Sequence, residues 1–442
     1  MAIKIFFLWT FILISRPQDY FPALDNYRIA LISTVLALLV TIINQWHSVV
    51  KILSLKICKI YFLLFLVMII GIPFALYRKV AFESVFFAYT INMIFFVLVI
   101  NYINSVNKLK SILFVLLFCN LYYTVSSLIG GSFIEGRFIS YGDMYDSNDT
   151  AYILIALLPM TMTFISLSNG FKKKILAVLT MATSILVIIF TGSRSGFISL
   201  LIFLVSFYMV FREKIKLSHI ISFILLVMFI FSVYKDNINV GRYMTLKDIQ
   251  SDYNVTDESG RVQIWDSGIQ VFKSNFITGV GVNCFPEAIG NFRESGGKIP
   301  QWQTAHNSYL QIAAETGIFG IIFYIYMIIY SIKSLTIVRY MEKTANINPE
   351  INMVAGLLLI GMVSIMVDAF FLSQAYSLFI TLYFAMCGAL KNIYGNIVLE
   401  NNDLPIIIKS DKGPNGNYIV QTLSQDSDLP ATSIVLGVNE NH

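Results

Sequence analysis

Thr191-Gly192-Ser193-Arg194-Ser195-Gly196 places an arginine among small polar residues, wedged between two apolar stretches with scarcely any loop. A guanidinium there either snorkels to a membrane interface or points into a cavity, where its planar fork of donors suits phosphate oxygens. The flanking glycines and serines favour the anion reading, because small residues let backbone N–H groups approach a ligand. A second arginine, Arg261, follows Gly260 and precedes Trp265, with Gly279-Val280-Gly281 and Asn283 downstream. Alone, that is the pattern of a surface residue. The third group is His306-Asn307-Ser308-Tyr309, running into Glu315-Thr316-Gly317 and Gly320. A neutral imidazole at this point can accept a proton from an attacking hydroxyl, or the histidine can cap the helix that follows. Gly317 and Gly320, one helical turn apart, fit close helix packing better than substrate contact.

A fourth segment runs from Gly136-Arg137 to Asp146-Ser147-Asn148-Asp149. Its two aspartates could ligate Mg²⁺ or Ca²⁺, which prefer oxygen donors. Asp and Asn immediately before an apolar run are also ordinary helix N-caps, and capping is the reading we favour. The four cysteines are scattered, with no CxxC pair and no Cys/His cluster, so neither structural zinc nor a disulfide framework is expected. His47 and His219 fall at helix ends on the face opposite His306, and His442 is terminal.

The elements that must position these residues are membrane helices. Of 442 residues 57% are hydrophobic and only 13% charged, against about 25% charged in a soluble domain. Apolar runs long enough to cross a bilayer lie near residues 3–15, 29–45, 57–76, 82–103, 110–129, 151–168, 174–191, 196–211, 217–234, 308–332, 351–372 and 376–392. Backbone groups in hydrocarbon must be satisfied internally, which predicts an all-α polytopic bundle of about 12 transmembrane helices. The first run resembles a signal peptide but lacks a small-x-small cleavage site, and is expected to stay as the first helix.

The net charge of +5 is a topology signal rather than a nucleic-acid footprint, because Lys and Arg concentrate in alternate short loops, and those loops are expected in the cytoplasm. Arg78 and Lys79 depart from that rule. Both termini are then cytoplasmic, and a hydrophilic loop of about residues 235–305 falls outside, holding Arg261, Trp265 and Trp302. A loop that long is expected to fold over the bundle and to carry function. Residues 1–395 read as one transmembrane catalytic domain, and 396–442 as a polar cytoplasmic tail, disordered or peripheral.

In chain order, Arg137…Asn148, Ser193-Arg194-Ser195-Gly196, Arg261…Trp265, Gly279-Val280-Gly281 and His306-Asn307…Gly317…Gly320 resemble the signature of the O-antigen ligase and polymerase family. Arg16-Pro17-Gln18-Asp19 with Phe21-Pro22 is similar to the N-terminal region of relatives from exopolysaccharide clusters. The resemblance implies a GT-C-like membrane glycosyltransferase in the bacterial inner membrane, with its active site facing the periplasm, inverting and independent of metal or other cofactor. Its donor would be a glycan on undecaprenyl diphosphate, and its acceptor lipid A-core or a lipid-linked glycan. Arg194 and Arg261 would hold the diphosphate, His306 would activate the acceptor hydroxyl, and Arg137 and Asn307 would be further substrate contacts. The rival class is a secondary transporter or flippase of an anionic substrate, kept in view by Glu315 and Asp368 inside apolar runs.

Overall fold

The computed structural model of the protein describes residues 1–134, 136–141, 146–168, 170–212, 243, 260–297, 299–345, 348–400, 410–412, 418–421 and 433–436. The ninth expected span, near residues 217–234, and nearly all of residues 235–259 of the outer loop lie outside them. The chain separates into two compact units, Met1–Leu390 and Lys391–His442.

The first unit is an all-α bundle. After the short apolar helix α1 (Ala2–Ser15), ten helices among the described residues are long and apolar enough to cross a membrane: α2 (Ile29–Leu53), a segment beginning with α3 (Lys56–Gly71), α4 (Arg78–Tyr102), α5 (Val106–Gly130), α6 (Ser147–Leu167), α7 (Phe171–Phe190), α8 (Arg194–Phe211), α11 (Ser308–Ala345), α12 (Pro349–Asp368) and α13 (Leu378–Glu400). Two helices of the outer segment, α9 (Arg261–Ser274) and α10 (Phe285–Ser295), fall between α8 and α11. The protein is therefore a multi-pass membrane protein, and ten of the twelve expected spans correspond to these helices.

Burial grades across the bundle. In α6, 83% of the apolar window is covered by other protein, against 17% in α2, so α6 is the central helix and α2 faces lipid. α6 packs against α5, α7, α8 and α12, and α12 against α11. Helix starts are fixed by short polar side chains: Asp146 accepts the N–H groups of Asn148 and Asp149, Ser193 that of Gly196, and Asn348 that of Glu350. The aspartate ahead of α6 is thus a helix cap. All four cysteines are buried free thiols.

One expected boundary is wrong. Lys333 and Arg339 do not lie in a loop, because α11 continues as helix to Ala345. Leu335 and Val338 keep an apolar face buried beyond the span, and Arg339 donates from Nη2 to the Val210 carbonyl at 2.7 Å, satisfying one of the orphan acceptors at the end of α8.

The described part of the outer loop shares a small core with the membrane helices, in which Ile264, Val271, Phe285 and Ile289 pack with Ala75, Ala81, Ala305 and Ala314. In the second unit β3 (Ser410–Lys412), β4 (Tyr418–Gln421) and β5 (Ser433–Leu436) form an antiparallel sheet. The tail was expected to be disordered or peripheral, and its strands carry the β-branched pairs Ile419-Val420 and Ile434-Val435.

Candidate active site

The starts of α6, α8 and α11 and the end of α12 meet at one end of the bundle, where short polar side chains link them. A two-stranded hairpin, β1 (Ser132–Ile134) and β2 (Arg137–Ile139), precedes α6. From it Arg137 donates through Nε to the Thr191 carbonyl at 3.2 Å and through Nη2 to Asn148 Oδ1 at 2.9 Å. Asn148 Oδ1 also accepts from Ser193 Oγ at 3.0 Å, and the Ser193 and Ser195 hydroxyls are 3.2 Å apart. Arg137 thus brackets the hairpin, the start of α6 and the turn before α8. Arg194 is the first residue of α8 and is half-buried, one position from Ser193 and one from Ser195.

Arg261 is likewise the first residue of its helix, α9, and is half-buried. Trp265, one turn on, donates from its indole N–H to the carbonyl of Ala305 at 3.0 Å and sets its ring edge-on to Phe370 at 5.5 Å. The helix that presents Arg261 is therefore fastened to the residue before His306.

The glycine motifs provide the other end of that attachment. Val280 and Gly281 donate their N–H groups to the carbonyls of Ala314 and Glu315 at 2.9 and 3.0 Å. Gly317 has φ +68 and breaks the helical geometry of α11, and the N–H of Ile318 then donates to the Phe276 carbonyl at 2.8 Å. Gly279, at φ +67, lies so close to α11 that a Cβ would come within 2.3 Å of the Glu315 carbonyl carbon. Both positions exclude side chains for conformational and steric reasons together. Gly317 does serve close packing, but against residues 276–277 of the outer segment rather than another membrane helix.

His306 sits in a left-handed turn at φ 45, with its N–H donated to Ser373 Oγ at 2.8 Å. Asn307, next to it, caps α11: its Oδ1 accepts the N–H groups of Tyr309 and Leu310 at 2.9 and 3.0 Å. The capping alternative considered for His306 is thus filled by Asn307, and the imidazole is left for another task. Burial lowers the imidazole's proton affinity below its ordinary value, the nearby Arg261 lowers it further, and Asp146 partly opposes both. Arg261 and Asp146 are therefore both within electrostatic reach of His306.

The segment after α12 wraps the start of α11. Ser308 donates its N–H to the Ala369 carbonyl at 2.8 Å, and Gln374 donates its N–H to Ser308 Oγ and its side-chain amide to Asp149 Oδ1, each at 2.8 Å. Asp368, at the end of α12, faces the Ser195 hydroxyl and interacts electrostatically with Asp149 and Arg261. Among the expected residues, His306 and Arg261 are brought together. Ser195, which follows Arg194, faces Asp368, and Arg137 is tied to the turn before Arg194 through Thr191 and Asn148. Sequence reading passed over Asp146 as a partner for His306, and noted Asp368 only as a charge in an apolar run. That last signal was sufficient to mark it.

Among comparisons with known proteins, residues 179–325 match the family model described as O-antigen ligase. The matched segment holds Arg194, Arg261, His306 and both glycine motifs, while Arg137, Asn148 and Asp368 lie outside it. No curated protein matches the chain. The match over residues 179–325, together with the bundle, the clamped outer segment and the ordered Arg–Arg–His set inside it, supports membership of the O-antigen ligase and polymerase family.

Proposed function

We propose that this O-antigen ligase or polymerase-type membrane enzyme transfers a glycan from undecaprenyl diphosphate to an acceptor hydroxyl at the periplasmic face. The observation that carries the reading is the His306 imidazole, half-buried, within electrostatic reach of Arg261 and Asp146, with its proton affinity lowered. An imidazole in that state is a neutral base at ordinary pH.

In the reaction the acceptor oxygen attacks the anomeric carbon of the donor, and its proton passes to His306. The bond from that carbon to the diphosphate oxygen breaks, and the electron pair leaves with the diphosphate. Attack opposite the leaving group inverts the anomeric configuration. Arg194 and Arg261 take up the charge that develops on the diphosphate. Donors preorganised in this way contribute several kcal/mol each in a water-poor site, so no divalent cation is assigned to the step. Arg137, held by Thr191 and Asn148, supports the Ser193-Arg194-Ser195 turn. Asn307 has its Oδ1 committed to the helix cap, which leaves its amide N–H groups for substrate.

The acceptor is lipid A-core for a ligase and a lipid-linked repeat unit for a polymerase. The basic residues of alternate loops support placing this end of the bundle outside the bacterial cytoplasmic membrane. Purified protein in liposomes, given a polyprenyl-diphosphate glycan and either acceptor without a transmembrane gradient, tests the reading: covalent product supports it, and gradient-dependent movement of unmodified substrate supports the transporter class instead.

A further inference from the structure

Asp368 is fully buried, yet neither of its carboxylate oxygens has a hydrogen bond of ordinary geometry. Its neighbours behave differently. Asp146 accepts two backbone N–H groups and the Asn148 amide, and Asp149 accepts from Gln374. Buried polar groups are almost always partnered, and one that is not calls for a reason. Its position adds to the cost: Asp368 ends α12, where the helix dipole disfavours a negative charge, and Asp149 is close enough to interact with it. Arg261 offsets part of this from a distance, and the Ser195 hydroxyl faces the carboxylate without bonding to it in ordinary geometry.

The absent partner has definite chemistry. It must hydrogen-bond to a carboxyl group, which accepts when ionised and also donates when protonated. A phosphate is the poorer partner, because Asp149 and the end of α12 disfavour further negative charge there. Among the described residues, no group of three or more His, Cys, Asp or Glu is arranged to hold a metal ion. A neutral polyol meets these conditions, because a hydroxyl donating to a buried carboxylate makes one of the stronger hydrogen bonds available. Such a partner also gives the site a direction, with the diphosphate towards the arginines and the sugar over Asp368 and Ser195.

We propose that Asp368 and Ser195 form a subsite that binds a hydroxyl of the glycan substrate. The proposal rests on the transfer reading given above and names the part of the substrate recognised here. It is tested by ligand-observed NMR on detergent-solubilised wild type, Asp368→Asn, Ser195→Ala and Arg261→Ala, using a panel of free hexoses and N-acetylhexosamines with their monodeoxy analogues. Inorganic pyrophosphate is measured in the same samples. At least one sugar is expected to bind wild type, with its Kd raised about tenfold or more by Asp368→Asn and less by Ser195→Ala. One monodeoxy analogue should bind wild type and Asp368→Asn equally, which identifies the hydroxyl. Pyrophosphate should bind Asp368→Asn at least as tightly as wild type and should be lost from Arg261→Ala. Equal sugar binding by wild type and Asp368→Asn, or no sugar binding to wild type, overturns the subsite. Pyrophosphate binding that ignores Arg261→Ala counts instead against the diphosphate assignment, with the sugar measurement still decisive for Asp368. Unchanged unfolding temperature for the near-isosteric Asp368→Asn separates lost binding from lost fold, and the milder Ser195→Ala gives a second reading of the same subsite.

Discussion

The indole N–H of Trp265 donates to the carbonyl of Ala305 at 3.0 Å, which ties the helix beginning at Arg261 to the turn that presents His306. That bond links the segment bearing the proposed phosphate-holding cation to the segment bearing the proposed base, 40 residues apart in sequence. Trp265→Phe keeps an aromatic ring against Phe370 and removes only that bond. One such bond contributes about 1 kcal/mol, so transfer should fall roughly fivefold, with membrane abundance close to normal. The check is the ratio of initial transfer rate to protein level on an immunoblot.

Arg194→Ala and Arg261→Ala should each lower transfer by about 10² to 10³ while leaving the protein in the membrane. Lysine at either position should restore little, because an ammonium group lacks the planar fork that meets two phosphate oxygens at once. Rates for the four variants in liposomes decide the matter, and near-wild-type transfer by Arg261→Ala would remove the phosphate role from that residue.

Gly279→Ala introduces a Cβ within 2.3 Å of the Glu315 carbonyl carbon at a backbone φ of +67. The conformational strain alone is about 1–2 kcal/mol, and the clash adds to it by forcing the outer segment off α11. A lower unfolding temperature in detergent and loss of transfer should occur together. Gly297→Ala is the control: its φ is +70, but no atom lies within 4 Å of the new carbon, so it should cost only the strain and leave transfer largely intact.

The pH profile follows from the surroundings of His306. A base must be unprotonated, so transfer falls as pH drops through its pKa. Burial and Arg261 lower that pKa, and the acid limb should therefore lie below the ordinary histidine value of about 6.5. Asp146 acts in the raising direction, so Asp146→Asn should move the limb to still lower pH. An upward movement would contradict the assigned neighbourhood.

The membrane bundle was legible in the sequence because a bilayer demands long apolar runs, and each such run is a local property. Arg194 and His306 were legible by type at the ends of those runs, whereas Arg261, in a hydrophilic loop, stood out only through the ordered set of motifs that resembles the family. Their neighbours were not. Asp146 and His306 are 160 positions apart in the chain, and Asp146 has an ordinary local explanation as the cap of α6. Ser195 and Asp368 belong to α8 and α12, whose contact depends on the packing of the bundle. The glycine motifs were read separately, although Gly279 and Gly317 are two sides of one backbone contact. The loop expected after residue 332 failed for a different reason: once the hydrocarbon ends, hydropathy no longer distinguishes a polar helix from a loop, and Arg339 at the end of α8 is a tertiary contact.

The most direct test is single-turnover transfer by His306→Ala and His306→Gln in liposomes supplied with an undecaprenyl-diphosphate glycan and an acceptor. Loss of a general base should slow the chemical step by about 10² to 10⁴, with donor binding and unfolding temperature preserved and with the acid limb of the pH profile abolished. Transfer at the wild-type rate, with the acid limb still in place, would contradict the assignment of the base and with it the mechanism.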